Sequence, residues 1–208
     1  MTASTDLPGY KQARRSQIVA AALAALKVHD YEQIQMRDVA VAADVALGTL
    51  YRYFSSKEHV YAAVLMEWAQ PVFDDTARDD RPAERRVRQK VRNIITSFER
   101  WPAFFKVCML LQNTTDANAQ PLMQQFAETA QRTLAADFAS LGHQESFDTA
   151  IMLWGIVSTM LSGTIHNGYP IGGDAYRVAD AFIDLVAPPG CPPISARRPP
   201  EADEPAPV

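Results

Sequence analysis

The chain has 208 residues, 48% of them hydrophobic and 21% charged, with a formal net charge of −4 at pH 7. That is the composition of an ordinary globular protein long enough to bury a sizeable core, which sets aside disordered and fibrous classes. An acidic balance excludes a protein that coats nucleic acid over its whole surface, and two cysteines, Cys108 and Cys191, are too few for a disulfide scaffold.

Residues 1–60 carry seven Lys/Arg against six Asp/Glu, and the remainder thirteen against eighteen, so the N-terminal part is the less acidic. The N-terminus is polar through Ala13, with no signal-peptide apolar stretch, and no run approaches the roughly 18 uninterrupted apolar residues of a membrane helix. A cytoplasmic protein is expected, with no membrane partner.

Periodicity is helical almost everywhere, and nothing alternates with period two over a useful length. Ile18, Ala22, Ala25 and Leu26 define a first helix over about 12–28, and Met36, Val39, Ala40 and Ala43 a short second one. Leu47, Leu50 and Phe54 continue the pattern in a third. Ser55 or Ser56 caps a fourth, which Pro71 is expected to end or kink. After Pro82 comes a fifth, with Val87, Val91, Ile94, Ile95 and Phe98 inward. Apolar-striped segments follow over about 103–113, 121–141 and 146–167, with a last helix over about 174–187. The tail, 188–208, holds eight of the fourteen prolines, and its composition predicts disorder.

The stretch "ADVALGTLYRYFSSK" (43–57) bears the chemistry. Two short helices joined by a tight turn, the second carrying a polar cluster, describe a helix-turn-helix. Val45, Leu50 and Phe54 would pack the second helix inward, leaving Gly48, Thr49, Arg52 and Tyr53 for a major groove. Gly48 permits close backbone approach, Thr49 suits a thymine methyl or a phosphate, and Arg52 suits a guanine edge. Tyr51 and Tyr53 would reach phosphates with their hydroxyls, and Lys57 adds charge at the start of the next helix. His59 lies close to the same edge; Arg37 and Leu47 complete the candidate DNA-binding set. On periodicity alone, a solvated amphipathic turn explains the same residues equally well.

"QMRDVAVAADVALGTLYRYFSSKEHVYAAVL" closely resembles the DNA-binding segment of TetR-family transcriptional regulators, with "GTLYRYF" followed by "SK" as the signature. The resemblance implies an all-α fold: a three-helix DNA-binding domain (10–60), then a helical ligand-binding and dimerisation domain (61–187). Where the family usually places Thr or Ser to open its second helix, this chain has Gln35. Where it has Ser to open the third, Gly at the turn and Lys at the groove, this chain has Ala46, Asp44 and Leu47. "IQMRDVA…ADVALGTLYRYF" is also similar to the actinobacterial repressors of cholesterol and steroid catabolism, which implies steroid-derived acids or their CoA thioesters as effectors.

In the second domain, Met and aromatic residues suit both a core and adaptable apolar pockets. The resemblance implies a ligand inside this bundle, against Trp101, Phe105, Met109, Met123, Phe126 and Trp154, with Asn113, Gln112, Thr159 and His166 available to orient it. A hydrophobic small molecule with one or two polar groups is expected. "AIMLWGIVSTMLSGTIHNG" is apolar on more than one face. By the resemblance, Ile151, Ser158, Leu161 and Ile165, with Tyr176, Ala179, Phe182 and Ile183 of the last helix, form a homodimer interface and hence imply a near-palindromic operator.

Other features read blandly. Cys108 sits among apolar neighbours without a nearby histidine, and His29, His59, His143 and His166 lack metal-ligand spacing. No cofactor, metal or enzymatic activity is expected. Arg85, Arg88 and Arg92 of "ERRVRQKVR" read as a solvated face. The expected protein is a ligand-responsive repressor. Its rivals are an architectural DNA binder without an effector and a small helical enzyme or carrier.

Overall fold

A computed structural model describes residues 9–74, 82–168 and 174–186. Among them there is no strand. The α-helices are α1 (Gly9–Leu26), α2 (Met36–Ala42), α3 (Leu47–Tyr53), α4 (Lys57–Asp74), α5 (Ala83–Arg100), α6 (Pro102–Leu111), α7 (Ala119–Ala135), α8 (His143–Asn167) and α9 (Ala175–Val186). Short 3-10 turns lie at Tyr31–Gln33 and Ala136–Leu141, the second ending the apolar segment expected to run on to 141 as one helix. The expected tail, with Cys191, lies outside the described residues.

The chain packs as two units. Among the described residues, the first takes 9–74 together with 96–129, and the second takes 82–95, 130–168 and 174–186. Side chains of α4, α6 and the α6–α7 loop pack with the N-terminal helices in the first unit. Trp68 stacks on Phe104 with ring centroids 4.8 Å apart and lies 5.1 Å from Phe98. Lys106 pairs with Asp30 at 3.2 Å. Pro71 sits inside α4, which runs on to Asp74. Its ring removes the one ladder bond that an N–H at 71 would make to the Glu67 carbonyl, and the helix continues past it to Asp74.

Within the first unit, α1 packs on α4 and α2, and α2 on α3. Ile18, Val19, Ala22 and Leu26 of α1, Val39 and Ala40 of α2, Leu50, Phe54, and Val60, Tyr61, Val64 and Leu65 of α4 are all buried. The Tyr61 hydroxyl donates to the Ala22 carbonyl at 3.4 Å, and its ring meets Tyr31 edge-on.

The α2–α3 turn is a left-handed stop. Asp44 has φ of 50°; its N–H donates to Val41 O at 3.0 Å, and that of Val45 to Ala40 O at 3.0 Å. This pair of bonds is the Schellman motif, which satisfies the last carbonyls of α2 and redirects the chain. Neither Gln35 nor Ala46 makes a side-chain cap bond to the helix it precedes.

The second unit is built on α8, which packs on α9 and on the 3-10 turn before it. Leu153, Val157, Met160 and Leu161 face inward, and Ala175, Ala179 and Ile183 form the buried stripe of α9. Leu161, Ala179 and Ile183, expected at a subunit interface, are therefore core residues of their own chain. By length and composition His143–His166 could cross a membrane. Its apolar character instead divides between the packed face and a second one, where Ile151 and Met152 are about half exposed.

Arg88 and Arg92 are not simply solvated. Arg88 bonds Glu84 at 3.1 Å, Asp180 at 2.9 Å and Asp184, and Arg92 reaches Asp180 at 2.9 Å, so the pairs join α5 to α9. Nearby, buried Lys90 sits 2.5 Å from buried Asp137, which also accepts from Arg86 at 2.7 Å; the Lys90 ammonium donates to Thr133 O as well.

An L-residue without a short polar side chain resists the left-handed region by about 1–2 kcal/mol. Asp44→Ala is therefore expected to lower stability by about 1 kcal/mol in urea denaturation while Asp44→Gly does not. Equal losses for both would remove the turn strain from this account.

Candidate nucleic-acid interface

Helix α3 has one fully buried residue, Leu50, with Phe54 buried just beyond its end. Gly48, Tyr51 and Arg52 are exposed, and Leu47, Thr49 and Tyr53 half-buried. Arg52 Nη2 donates to Thr49 Oγ1 at 3.4 Å, one turn back, so these two share a face. Nothing inside the protein requires glycine at 48: a Cβ built there meets no atom within 4 Å. Arg37 is exposed on α2.

Two members of the set have internal roles. The Lys57 ammonium donates to the carbonyls of Tyr31 and Ile34, the latter at 2.8 Å, and lies 4.2 Å from the Tyr31 ring centroid. It closes the α1–α2 connection instead of standing free for a phosphate. Desolvation lowers its pKa, with Glu32 opposing. Spacing could not reveal this, since the carbonyls lie 23 and 26 residues upstream.

His59 completes the cap of α4. Ser56 Oγ accepts the His59 N–H at 2.9 Å, and His59 Nδ1 accepts the Ser55 N–H at 3.3 Å. Half of this is a capping box, the N-cap Ser56 taking the N–H at N3; the imidazole reaches back one residue further, to the N–H that precedes the cap. The His59 ring packs edge-on to Phe54 at 5.0 Å, and Arg15 covers Phe54 at 4.9 Å. Burial lowers the His59 pKa, Arg15 lowers it further and Asp116 opposes. Neutral imidazole is the form that accepts from Ser55.

Sequence reasoning missed Arg14 and the α6–α7 loop. Arg14 Nη1 donates to Asp44 O at 3.4 Å, across the turn. Residues 114–118 lie against the start of α4. Thr114 Oγ1 donates to the Glu58 carboxylate, and Asn118 Nδ2 to Ser55 Oγ at 2.8 Å. No sequence signal marks these contacts beyond the turn-forming character of "NTTDAN".

Of the expected ligand residues, Phe105, Met123 and Phe126 are buried, Trp101 and Met109 half-buried and Asn113 exposed, all in the first unit. Phe105 meets Phe98 edge-on at 5.3 Å. Trp154 and Thr159 fall in the second unit, and the Thr159 hydroxyl turns back to Gly155 O at 2.8 Å. A surface groove of about 610 Å³ in that unit is lined by Arg92, Asp174, Tyr176, Arg177, Asp180, Ala181 and Asp184. It is a charged groove that shares no residue with the expected apolar set. Of the expected interface residues, Ile151 is exposed, and Ser158, Ile165, Tyr176 and Phe182 are half-buried. Cys108 is buried, and desolvation pushes its thiol up to about 12, so it is no thiolate at neutral pH. Among the described residues no His, Cys, Asp and Glu cluster could hold a metal.

Residues 18–64, spanning the turn, α3 and the start of α4, match the family model of bacterial regulatory proteins, tetR family. Residues 18–64 carry the segment by which that family is defined. The HTH-type transcriptional repressor KstR of Rhodococcus jostii is 38% identical to this chain over 87 residues, 42% of the chain and 40% of that protein. KstR of Mycolicibacterium smegmatis is 54% identical over 52 residues, 25% of the chain and 26% of that protein. The chain thus spans about two fifths or less of the length of these curated relatives. A TetR transcriptional regulator from Rhodococcus sp. RHA1 superposes with a TM-score of 0.71 at 21% identity, covering 85% of this chain and 96% of that one. Bacillus subtilis FadR in complex with stearoyl-CoA superposes at 0.62 and 16% identity, covering 82% and 96%. At such identities the likeness is one of fold.

A group whose folded pKa lies below its unfolded value takes up protons on unfolding. His59 therefore contributes stability above pH 6.5 that is lost as pH falls through its lowered folded value. The urea midpoint of the wild type should drop more steeply from pH 7 to pH 5 than that of His59→Asn, which keeps an acceptor without titrating. Parallel slopes would exclude His59 as the cause.

Proposed function

We propose that this chain is a homodimeric transcriptional repressor that reads a near-palindromic operator with α3 and releases it on binding a hydrophobic small molecule. The observation that carries the DNA reading is Gly48. It is an exposed helical glycine with no intramolecular neighbour to accommodate, beside Thr49, Arg52, Tyr51 and Tyr53 on a helix anchored by Leu50. Glycine costs a helix about 1 kcal/mol relative to alanine. Its retention there is accounted for by another surface that comes closer than a methyl allows, and a groove edge is such a surface.

DNA reading belongs to residues 10–60, with Arg37 and Leu47 at the edge of the face; effector binding and dimerisation belong to 61–187. Phe105, Met123 and Phe126 of the first unit, with Trp101, Met109 and Asn113, supply the apolar surface for the effector. The likeness to KstR over 87 residues, and of the fold to FadR in complex with stearoyl-CoA, supports a steroid-acid or acyl-CoA class. The half-exposed Ile151 and Met152, with Ser158, Ile165, Tyr176 and Phe182, support a partner subunit over the outer face of α8 and α9. Release by 100-fold requires about 2.7 kcal/mol of preference for the non-binding state. Such a protein works in the cytoplasm, on DNA, without catalysis.

The test is fluorescence anisotropy on DNA from upstream of its own gene against unrelated DNA, at two salt concentrations. Gly48→Ala should melt at the wild-type temperature or above yet bind at least about 10-fold more weakly. Arg52→Ala should lose about 1–3 kcal/mol of specific binding. Wild-type affinity in both variants would overturn the reading. A steroid-acid and acyl-CoA panel added to the complex then tests the effector class.

A further inference from the structure

We propose that the loop between α6 and α7 is a clasp on the α3–α4 joint, with Thr114 and Asn118 as positioning residues that hold the reading helix for DNA. The inference rests on the reading of α3 as the DNA-reading helix.

The joint is short. Helix α3 ends at Tyr53, α4 begins at Lys57, and the three residues between set the angle at which α3 is presented. All three clasp contacts fall at that joint or within the first turn of α4. Asn118 Nδ2 donates to Ser55 Oγ at 2.8 Å, Ser56 hydrogen-bonds the Asp116 carboxylate, and Thr114 Oγ1 donates to Glu58. Ser56 is also the cap residue of α4, so the loop grips the group that starts that helix.

The loop is itself stiff. Asp116 Oδ1 accepts the N–H groups of Asn118 at 2.9 Å and Ala119 at 2.8 Å, starting α7, and Thr114 Oγ1 accepts the Asp116 N–H at 3.2 Å. Its first end is tied to α6 by Thr114 N–H donating to Leu111 O at 3.0 Å. A hydrogen-bonded loop of this kind moves as a body with the helix ends it joins. Those helices, α6 and α7, carry Phe105, Met109, Met123 and Phe126, the apolar surface assigned to the effector. Any displacement of α6 or α7 therefore reaches the third residue after the recognition helix, Ser56, through side-chain bonds alone. It need not travel the 18 residues of α4.

The clasp predicts what its loss does. Without Thr114 and Asn118 the joint samples more angles, so a smaller fraction of molecules presents α3 correctly, and apparent affinity falls by that fraction.

The experiment uses the full chain and an operator selected by the wild type from random duplexes. Thr114→Val/Asn118→Ala should bind about 10-fold more weakly, with faster amide hydrogen exchange across 54–60 and a melting temperature close to wild type. Thr114→Ser should restore binding to the Thr114→Val background. In a double-mutant cycle Asn118→Ala should add no loss to Ser55→Ala, since it acts through that hydroxyl. Wild-type affinity with unchanged exchange overturns the clasp, and so does an additive loss, which would make Asn118 a direct DNA contact. Failure to select any sequence, with Arg52→Ala binding as the wild type does, overturns the DNA reading itself and the clasp with it.

Discussion

A helix of seven residues cannot sustain itself. Isolated helices below about 12–15 residues are marginal in water, and α3 has neither a side-chain cap at Ala46 nor more than one fully buried residue. Its order is borrowed. Leu50 and Phe54 fix one side, the left-handed stop at Asp44 fixes the entry, and the Ser56–His59 cap fixes the exit. Each support lies off the exposed face, which leaves Gly48, Thr49, Tyr51 and Arg52 without structural duties beyond the helix. The polar character that made the stretch conspicuous follows from that division of labour.

The helices were legible because their apolar residues repeat every three or four positions, a pattern set by which side faces the core. Ile18, Ala22, Leu26, Val39 and Leu50 were all placed correctly from spacing. What spacing cannot carry is pairing between distant segments. Lys57 looked like a free cation because its two carbonyl acceptors belong to an irregular turn. The contacts of Thr114 and Asn118 join segments 56 and 63 residues apart. Arg88 and Arg92 read as solvated because Asp180 and Asp184, which answer them, lie on the last helix. Leu161, Ala179 and Ile183, which the resemblance places at a subunit interface, are buried within their own chain, since composition does not say which apolar side meets its own chain.

The buried charges of the second unit obey a different rule. Lys90 and Asp137 are both sheltered, and Arg86 joins them. A pair of this kind is poor evidence for added stability, since the lost hydration of two ions offsets much of their attraction. Its sharper effect is on error: a rotated α5 would leave an ammonium or a carboxylate buried alone. The arrangement therefore fixes the rotation of α5 against Thr133 and Asp137 more strictly than its apolar stripe can.

On the proposed reading of α3, the inward turn of Lys57 also bears on how the protein would find its operator. Non-specific attraction to DNA comes almost wholly from displaced counterions, in proportion to the cations that reach phosphates. A net-acidic chain that commits a lysine beside α3 to main-chain carbonyls has less of that attraction. Less of the protein is then held along unrelated chromosome, and sliding contributes less to the search. The time to locate a site is governed more by three-dimensional diffusion and by copy number.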